Sequence, residues 1–166
     1  MDNIILSNEE KVISHLKARG YHISFAESCT GGLASAKLIS VPDASSVINE
    51  SYVTYANESK IKLLGVKPES ISSEGVVSEL VAGEMASGVA QASGSEVGVG
   101  ITGIAGPSIG SDLKPVGMVC FGFYINGMLT TKTVNFGDIG RNEVRESAAG
   151  HVFKILDYLF ENEQNA

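Results

Sequence analysis

Ser28 is the first residue whose type and place could do chemistry. It stands in the run Ala26-Glu27-Ser28-Cys29-Thr30-Gly31-Gly32, where a short strand from His22 to Glu27 gives way to helix-forming residues from Leu33 to Ile39. A hydroxyl at such a strand-to-helix turn suits a nucleophile. Backbone N–H groups at a helix start point outward unpaired and carry partial positive charge, so those around Thr30 and Gly31 can hold an oxyanion beside the serine. Two glycines let a substrate come close. The same residues serve equally well as helix caps, for which serine and threonine are preferred types.

A nucleophilic serine needs a base, and the three histidines are poorly placed to supply it. His22 lies six residues back, roughly 20 Å away at strand rise, and His15 and His151 fall within helices. No lysine stands three residues after Ser28, and Lys37 points to the opposite side of its helix. Lys60 is the alternative, at the end of Tyr52-Val53-Thr54-Tyr55-Ala56-Asn57-Glu58-Ser59-Lys60. If Asn57 caps a helix there, Lys60 falls in the first turn, where the positive dipole end lowers its pKa and frees it to take a proton. A solvated surface lysine is the plainer reading. Tyr55 is either a core residue or a hydroxyl donor.

Two further groups could bind a ligand. Thr102-Gly103-Ile104-Ala105-Gly106-Pro107 follows an apolar strand and can either expose N–H groups to a ligand or form a plain turn. Arg141 and Arg145 open the last helix, where the dipole disfavours cations unless an anion is near. Glu143 and Glu146 could supply it internally, and a bound phosphate is the functional alternative.

The elements that must position these residues read as follows. Ser7 and Glu10 form a capping box for a helix with Val12, Ile13 and Leu16 inward, stopping at Gly20. A strand over Val47 to Tyr55 precedes a helix ending at Gly65. Ser78 caps a helix from Glu79 to about Ala92, with Leu80, Val81, Met85, Val89 and Ala90 on the buried side and Gly94 as its stop. Val97 to Thr102 reads as a buried strand, and Gly103 to Pro115 as a long loop. Val116 to Tyr124 and Met128 to Phe136 form a hairpin through Asn126-Gly127. The last helix runs from about Arg141 to Phe160, with Val144, Ala148, Val152, Ile155, Leu156 and Leu159 inward. Helices alternating with strands, plus one hairpin, predict an α/β layered fold on a mixed sheet.

The chain has 166 residues, 43% hydrophobic and 19% charged, enough for one domain with a core that needs neither disulfide nor metal. A net charge of −7 argues against coating nucleic acid or an anionic membrane. No window reaches the ~18 apolar residues of a membrane span, and the start lacks a secretory leader, so a cytoplasmic protein is expected. Cys29 and Cys120 lack CxxC spacing and histidine neighbours, which predicts free thiols and no zinc site. Glycine, at 19 residues, exceeds the usual ~7% share and points to turns, close packing or ligand loops.

Ala26 to Gly32, Val53 to Lys60, the helix-opening Val77-Ser78-Glu79, Thr102 to Pro107 and Lys114-Pro115-Val116-Gly117 together resemble the CinA carboxy-terminal domain family. The likeness spans nearly the whole chain, and the motifs fall in the family's order. The resemblance implies a three-layer α/β/α sandwich with a mixed, mostly parallel sheet, a carboxy-terminal β-hairpin and a final helix. It implies one domain over residues 1–161, a flexible tail at 162–166, and a form without the amino-terminal domain of longer members. The implied activity is deamidation of nicotinamide mononucleotide to nicotinate mononucleotide and ammonia, without metal or cofactor. Ser28 then matches the nucleophile, Lys60 the base and Tyr55 a tyrosine assisting them, with Thr30 and Gly31 N–H groups at the oxyanion. The expected substrate contacts are Thr102, Gly103, Ala105 and Gly106 along the pocket, and Arg145 with Arg141 at the phosphate. A homo-oligomer, a dimer by preference, is expected, with no nucleic-acid or membrane partner. The chain departs from the family at Ser108-Ile109-Gly110, where more glycine is usual, and at Ile139-Gly140, which interrupts a Gly-Asp-Arg run. A reshaped pocket there motivates the rival readings of a non-catalytic nucleotide-binding or regulatory module, or an amidase for another small amide.

Overall fold

The computed structural model describes residues 5–107 and 110–163. Its order is α1 (Asn8–Arg19), β1 (Ile23–Glu27), α2 (Leu33–Ile39), a single 3₁₀ turn (Ala44–Ser46), β2 (Ile48–Val53), α3 (Asn57–Leu64), α4 (Pro68–Glu74), α5 (Glu79–Ser93), β3 (Val97–Gly103), β4 (Met118–Ile125), β5 (Met128–Asn135) and α6 (Arg141–Glu163). The strands form one sheet in the order β2-β1-β3-β4-β5. β1 pairs parallel with β2 and β3, while β4 runs antiparallel to both β3 and β5, so β4 alone points the other way.

Strand alternation sends the two sheet faces to different helices. Ile23, Phe25, Val97, Val99, Ile101, Phe121 and Phe123 face α1, α2 and α6, forming the larger core. The opposite face is lined by small residues. A methyl group on Gly98, Gly100 or Gly122 would run into the backbone oxygens of Ala86 or Ala82, so glycine there lets α5 lie directly on the sheet. Much of the glycine excess is thus a packing device, with α3 and α4 packed beside α5. The result is the three-layer α/β/α arrangement with a mixed, mostly parallel sheet, the hairpin strands β4 and β5, and a long final helix.

Ser7 and Glu10 make the reciprocal capping box, and Gly20 ends α1 in the left-handed region. Other details differ from expectation. Leu80 is 46% exposed rather than inward, because Ala82 and Ala86, not Leu80, share the sheet-facing side of α5 with Val81, Met85 and Val89. Asn57 is not a cap: Ala56 holds that position, no side chain caps the end, and Asn57 is the first helical residue. Helix α4 was not expected, being short and polar, with Pro68 in its first turn. Strand β4 begins at Met118 rather than Val116, since Gly117 takes a positive φ of 92°. Helix α6 carries on through Asn162 and Glu163, where Arg19 donates to the Glu163 carboxylate. The rest of the tail and Ser108-Ile109 lie outside the described residues. Among the described residues no helix is long and apolar enough to cross a membrane.

Candidate active site

The chain leaving β1 turns to α2 on one face of the sheet, and the chain leaving β2 turns to α3 on the other. Such a divergence marks the carboxyl ends of the strands, the usual ligand place in α/β sheets. Ser28 sits there, half-buried, its N–H continuing the sheet to the Ile101 carbonyl at 3.0 Å. Gly31 and Gly32, both at positive φ (60° and 101°), then swing the chain into α2. The first-turn N–H groups of α2 are not open, as sequence alone suggests. Gly32 and Ala34 donate to Glu27 Oε2 at 3.0 and 3.1 Å, and Ser35 donates to Oε1 at 2.8 Å. Gly31 N–H is given to the Ser28 carbonyl at 3.1 Å. Among the described residues the Thr30 N–H has no acceptor and the Cys29 N–H meets only its own Sγ, which keeps Thr30 and adds Cys29 as candidate oxyanion donors.

Lys60 is fully buried on α3. Its Nζ lies 3.1 Å from Ser28 Oγ, 2.6 Å from the Thr54 carbonyl and 3.2 Å from the Tyr55 carbonyl. Burial lowers its pKa below the free-lysine value of 10.5. Desolvation is the largest cause, where the sequence pointed to the helix dipole; Lys60 does stand in the first turn of α3, behind Ala56 rather than Asn57 at the cap position. A neutral amine has two N–H bonds and one lone pair. As an ammonium Lys60 donates to all three oxygens; once deprotonated, its two N–H groups go to the carbonyls, which can only accept, and its lone pair is left to accept from the Ser28 hydroxyl. Cys29, the next residue along, is no rival nucleophile: burial pushes its thiol up to about 12, so it stays protonated.

The arginines divide. Arg145 donates from Nε to the Cys29 carbonyl at 2.9 Å, from Nη2 to the Thr30 carbonyl at 3.3 Å, and from Nη1 to Asn142 Oδ1 at 3.0 Å. It braces the nucleophile turn. Arg141 is exposed and donates to the Gly106 carbonyl at 2.6 Å and the Tyr55 hydroxyl at 3.0 Å. Tyr55 is 61% exposed, so it is neither core nor in contact with Lys60 through its hydroxyl; it meets the lysine through its backbone carbonyl. The loop after β3 is mostly turned inward. Thr102 donates its hydroxyl to the Val76 carbonyl, Gly103 packs on Cys29 and Val119, and Ala105 is buried. Only Gly106, through its carbonyl to Arg141, joins the rim of the site.

The histidines lie elsewhere, in ion pairs or aromatic contacts: His15 with Asp157, His22 with Glu96, His151 against Phe121 and Phe136. His15, Asp157 and Glu161 gather their ligand atoms within 4.8 Å of one another. Lys11 and Arg19 crowd this cluster, and Asp157 stands twelve residues beyond Arg145, about 18 Å along the helix. It is an α1–α6 clamp, remote from Ser28. Glu27 is the site residue that sequence reasoning missed. Its signal was a carboxylate immediately before the serine and five residues before the start of a helix lacking its own cap.

Comparison with known proteins agrees with this frame. The family profile described as CinA C-terminal domain matches residues 6–160. A CinA-like protein of Kosmotoga olearia is 48% identical over 86% of this chain, and one of Petrotoga mobilis 50% identical over 82%. The aligned region is 34% of each of those proteins, so the chain spans about a third of the length of the curated relatives it matches. Among solved structures, a competence/damage inducible protein from Agrobacterium tumefaciens superposes with a TM-score of 0.86 at 36% identity, covering 96% of this chain and 99% of its own. A CinA superfamily protein from Klebsiella pneumoniae gives 0.88 at 30% identity, covering 93% and 96%. With its motifs, its sheet order and these relatives in agreement, the chain belongs to the CinA C-terminal domain family.

Proposed function

We propose that this domain is an amidohydrolase that converts nicotinamide mononucleotide and water to nicotinate mononucleotide and ammonia, with Ser28 as nucleophile and Lys60 as base. The observation that carries the reading is a buried lysine whose amine, among the described residues, meets the Ser28 hydroxyl and two carbonyls. The substrate and reaction come from the resemblance to the family; the geometry supports the roles. Ser28 Oγ forms a bond to the carboxamide carbon as its proton passes to Lys60 Nζ. The oxyanion is held by the N–H groups of Cys29 and Thr30. Lys60 returns the proton to the nitrogen as the C–N bond breaks, and ammonia leaves. Water then attacks the ester, giving its proton to Lys60, and the Ser28 oxygen departs with that proton.

Arg141 is better placed than Arg145 for the substrate phosphate, because it is exposed while all three nitrogens of Arg145 are engaged. Tyr55 anchors Arg141 through its hydroxyl and orients Lys60 through its carbonyl. The test is ammonia release from nicotinamide mononucleotide by the wild-type chain, Ser28→Ala and Lys60→Ala, with thermal shift on the same compound. Turnover lost in both variants is expected. Stabilisation by the nucleotide without ammonia in the wild type would favour a binding module, and turnover of other amides but not this one a different amidase.

A further inference from the structure

We infer that Glu27 is a positioning residue that holds the Ser28 turn in register with Lys60. The inference rests on the reading of Ser28 as nucleophile. Glu27 is fully buried at the end of β1, and among the described residues no cation pairs with it. Its partners are the three N–H groups of Gly32, Ala34 and Ser35. Its backbone is equally fixed, between Val53 of β2 and Ile101 of β3, with the Thr54 N–H on its carbonyl at 2.8 Å. The turn from Ser28 to Gly31 is therefore pinned at its start by the sheet and at its far end by the Glu27 carboxylate.

Chemistry explains why glutamate stands here. The cap position of α2 is Gly32, which has no side chain with which to cap it. Without Glu27, the N–H groups of Gly32, Ala34 and Ser35 would be left without their acceptor in a buried place. A carboxylate accepts at both oxygens, matching three N–H donors shared between them. A glutamine offers an acceptor at one position and an N–H facing an N–H at the other. An aspartate keeps both oxygens but is one methylene short. Either change lets the turn shift, and a displacement of ~1 Å between reacting groups lowers a rate on the order of 100-fold.

The experiment measures labelling of Ser28 by a fluorophosphonate, read by mass spectrometry across pH, in the wild type, Glu27→Gln and Glu27→Asp, with thermal melting alongside. The wild type is expected to label at Ser28. Both variants are expected to fold and to label at least tenfold more slowly, with the pH midpoint unchanged because the burial of Lys60 and its contacts with the Thr54 and Tyr55 carbonyls are untouched. Folded variants that label within twofold of wild type would overturn the inference, as would loss of the fold in both. A wild type that does not label at Ser28 would instead remove the nucleophile reading on which it rests.

Discussion

Asp157 and Lys60 are both ionisable side chains buried on helices, and their surroundings differ in kind. Asp157, on α6, is 8% exposed and meets Lys11 Nζ at 3.2 Å and His15 Nε2 at 3.0 Å, with Arg19 crossing from α1 to the Phe160 carbonyl and ring. Lys60 is wholly buried and among the described residues meets no carboxylate, only a hydroxyl and two carbonyls. A buried carboxylate with basic side chains around it ties the elements that carry them together. A buried amine without a counter-charge is pushed toward its neutral form, which is the form that can take a proton. One region spends its ionisable groups on joining α1 to α6; the other keeps one lysine unpaired beside a serine.

That contrast can be broken most severely at the site. Lys60→Met is expected to lower ammonia release by about 1,000-fold or more, as removal of a member of a nucleophile–base pair does, while the melting temperature stays level or rises, since an uncompensated buried amine gives way to an apolar chain. A folded Lys60→Met enzyme with near-normal turnover would dissolve the distinction. Next in size, Arg141→Ala is expected to raise KM for the nucleotide about tenfold while leaving a nucleoside amide unaffected, whereas Arg145→Ala lowers kcat through the turn it braces. Equal effects on both substrates would return Arg141 to a purely structural role. In the clamp, Asp157→Ala is expected to cost about 1–2 kcal/mol, a fall of roughly 2–8 °C in Tm, with kcat unchanged. A loss of activity in the folded variant would join the two regions that the comparison separates.

The smallest expected effect concerns stability against pH. The folded pKa of Lys60 lies below its unfolded value, so between the two the unfolded chain binds the extra proton. Wild type should therefore gain stability relative to Lys60→Met as pH rises through the folded pKa toward 10.5, a trend that paired melting curves would register. The opposite slope would mean that Lys60 is stabilised as an ammonium.

The layered fold was legible because its signals are local: the Ser7–Glu10 capping box, Gly20 and Gly94 as stops, and the Asn126-Gly127 turn, whose residues take φ of 46° and 96°. Ser28 and Lys60 were legible as residue types, and their meeting came from the pairing of β1 with β2, which periodicity alone does not fix. The contacts of Glu27 and Arg145 with the turn were not legible for one reason. Each exerts its effect through backbone groups of the turn, and N–H or C=O partners leave no residue-type signature in a sequence. Leu80 shows the complementary limit, because a small residue can be the better contact where a helix lies close to glycines.

The central claim is that Lys60 is neutral when it serves Ser28. Titration of Lys60 Nζ by NMR, in protein carrying ¹⁵N at the lysine side-chain nitrogen, tests it most directly when set beside the pH dependence of ammonia release. The expected result is a Lys60 midpoint below 10.5, distinct from the exposed lysines, with kcat/KM rising through that same pH. A Lys60 that titrates at or above 10.5, or a rate that rises at a pH where Lys60 does not change, would contradict the account.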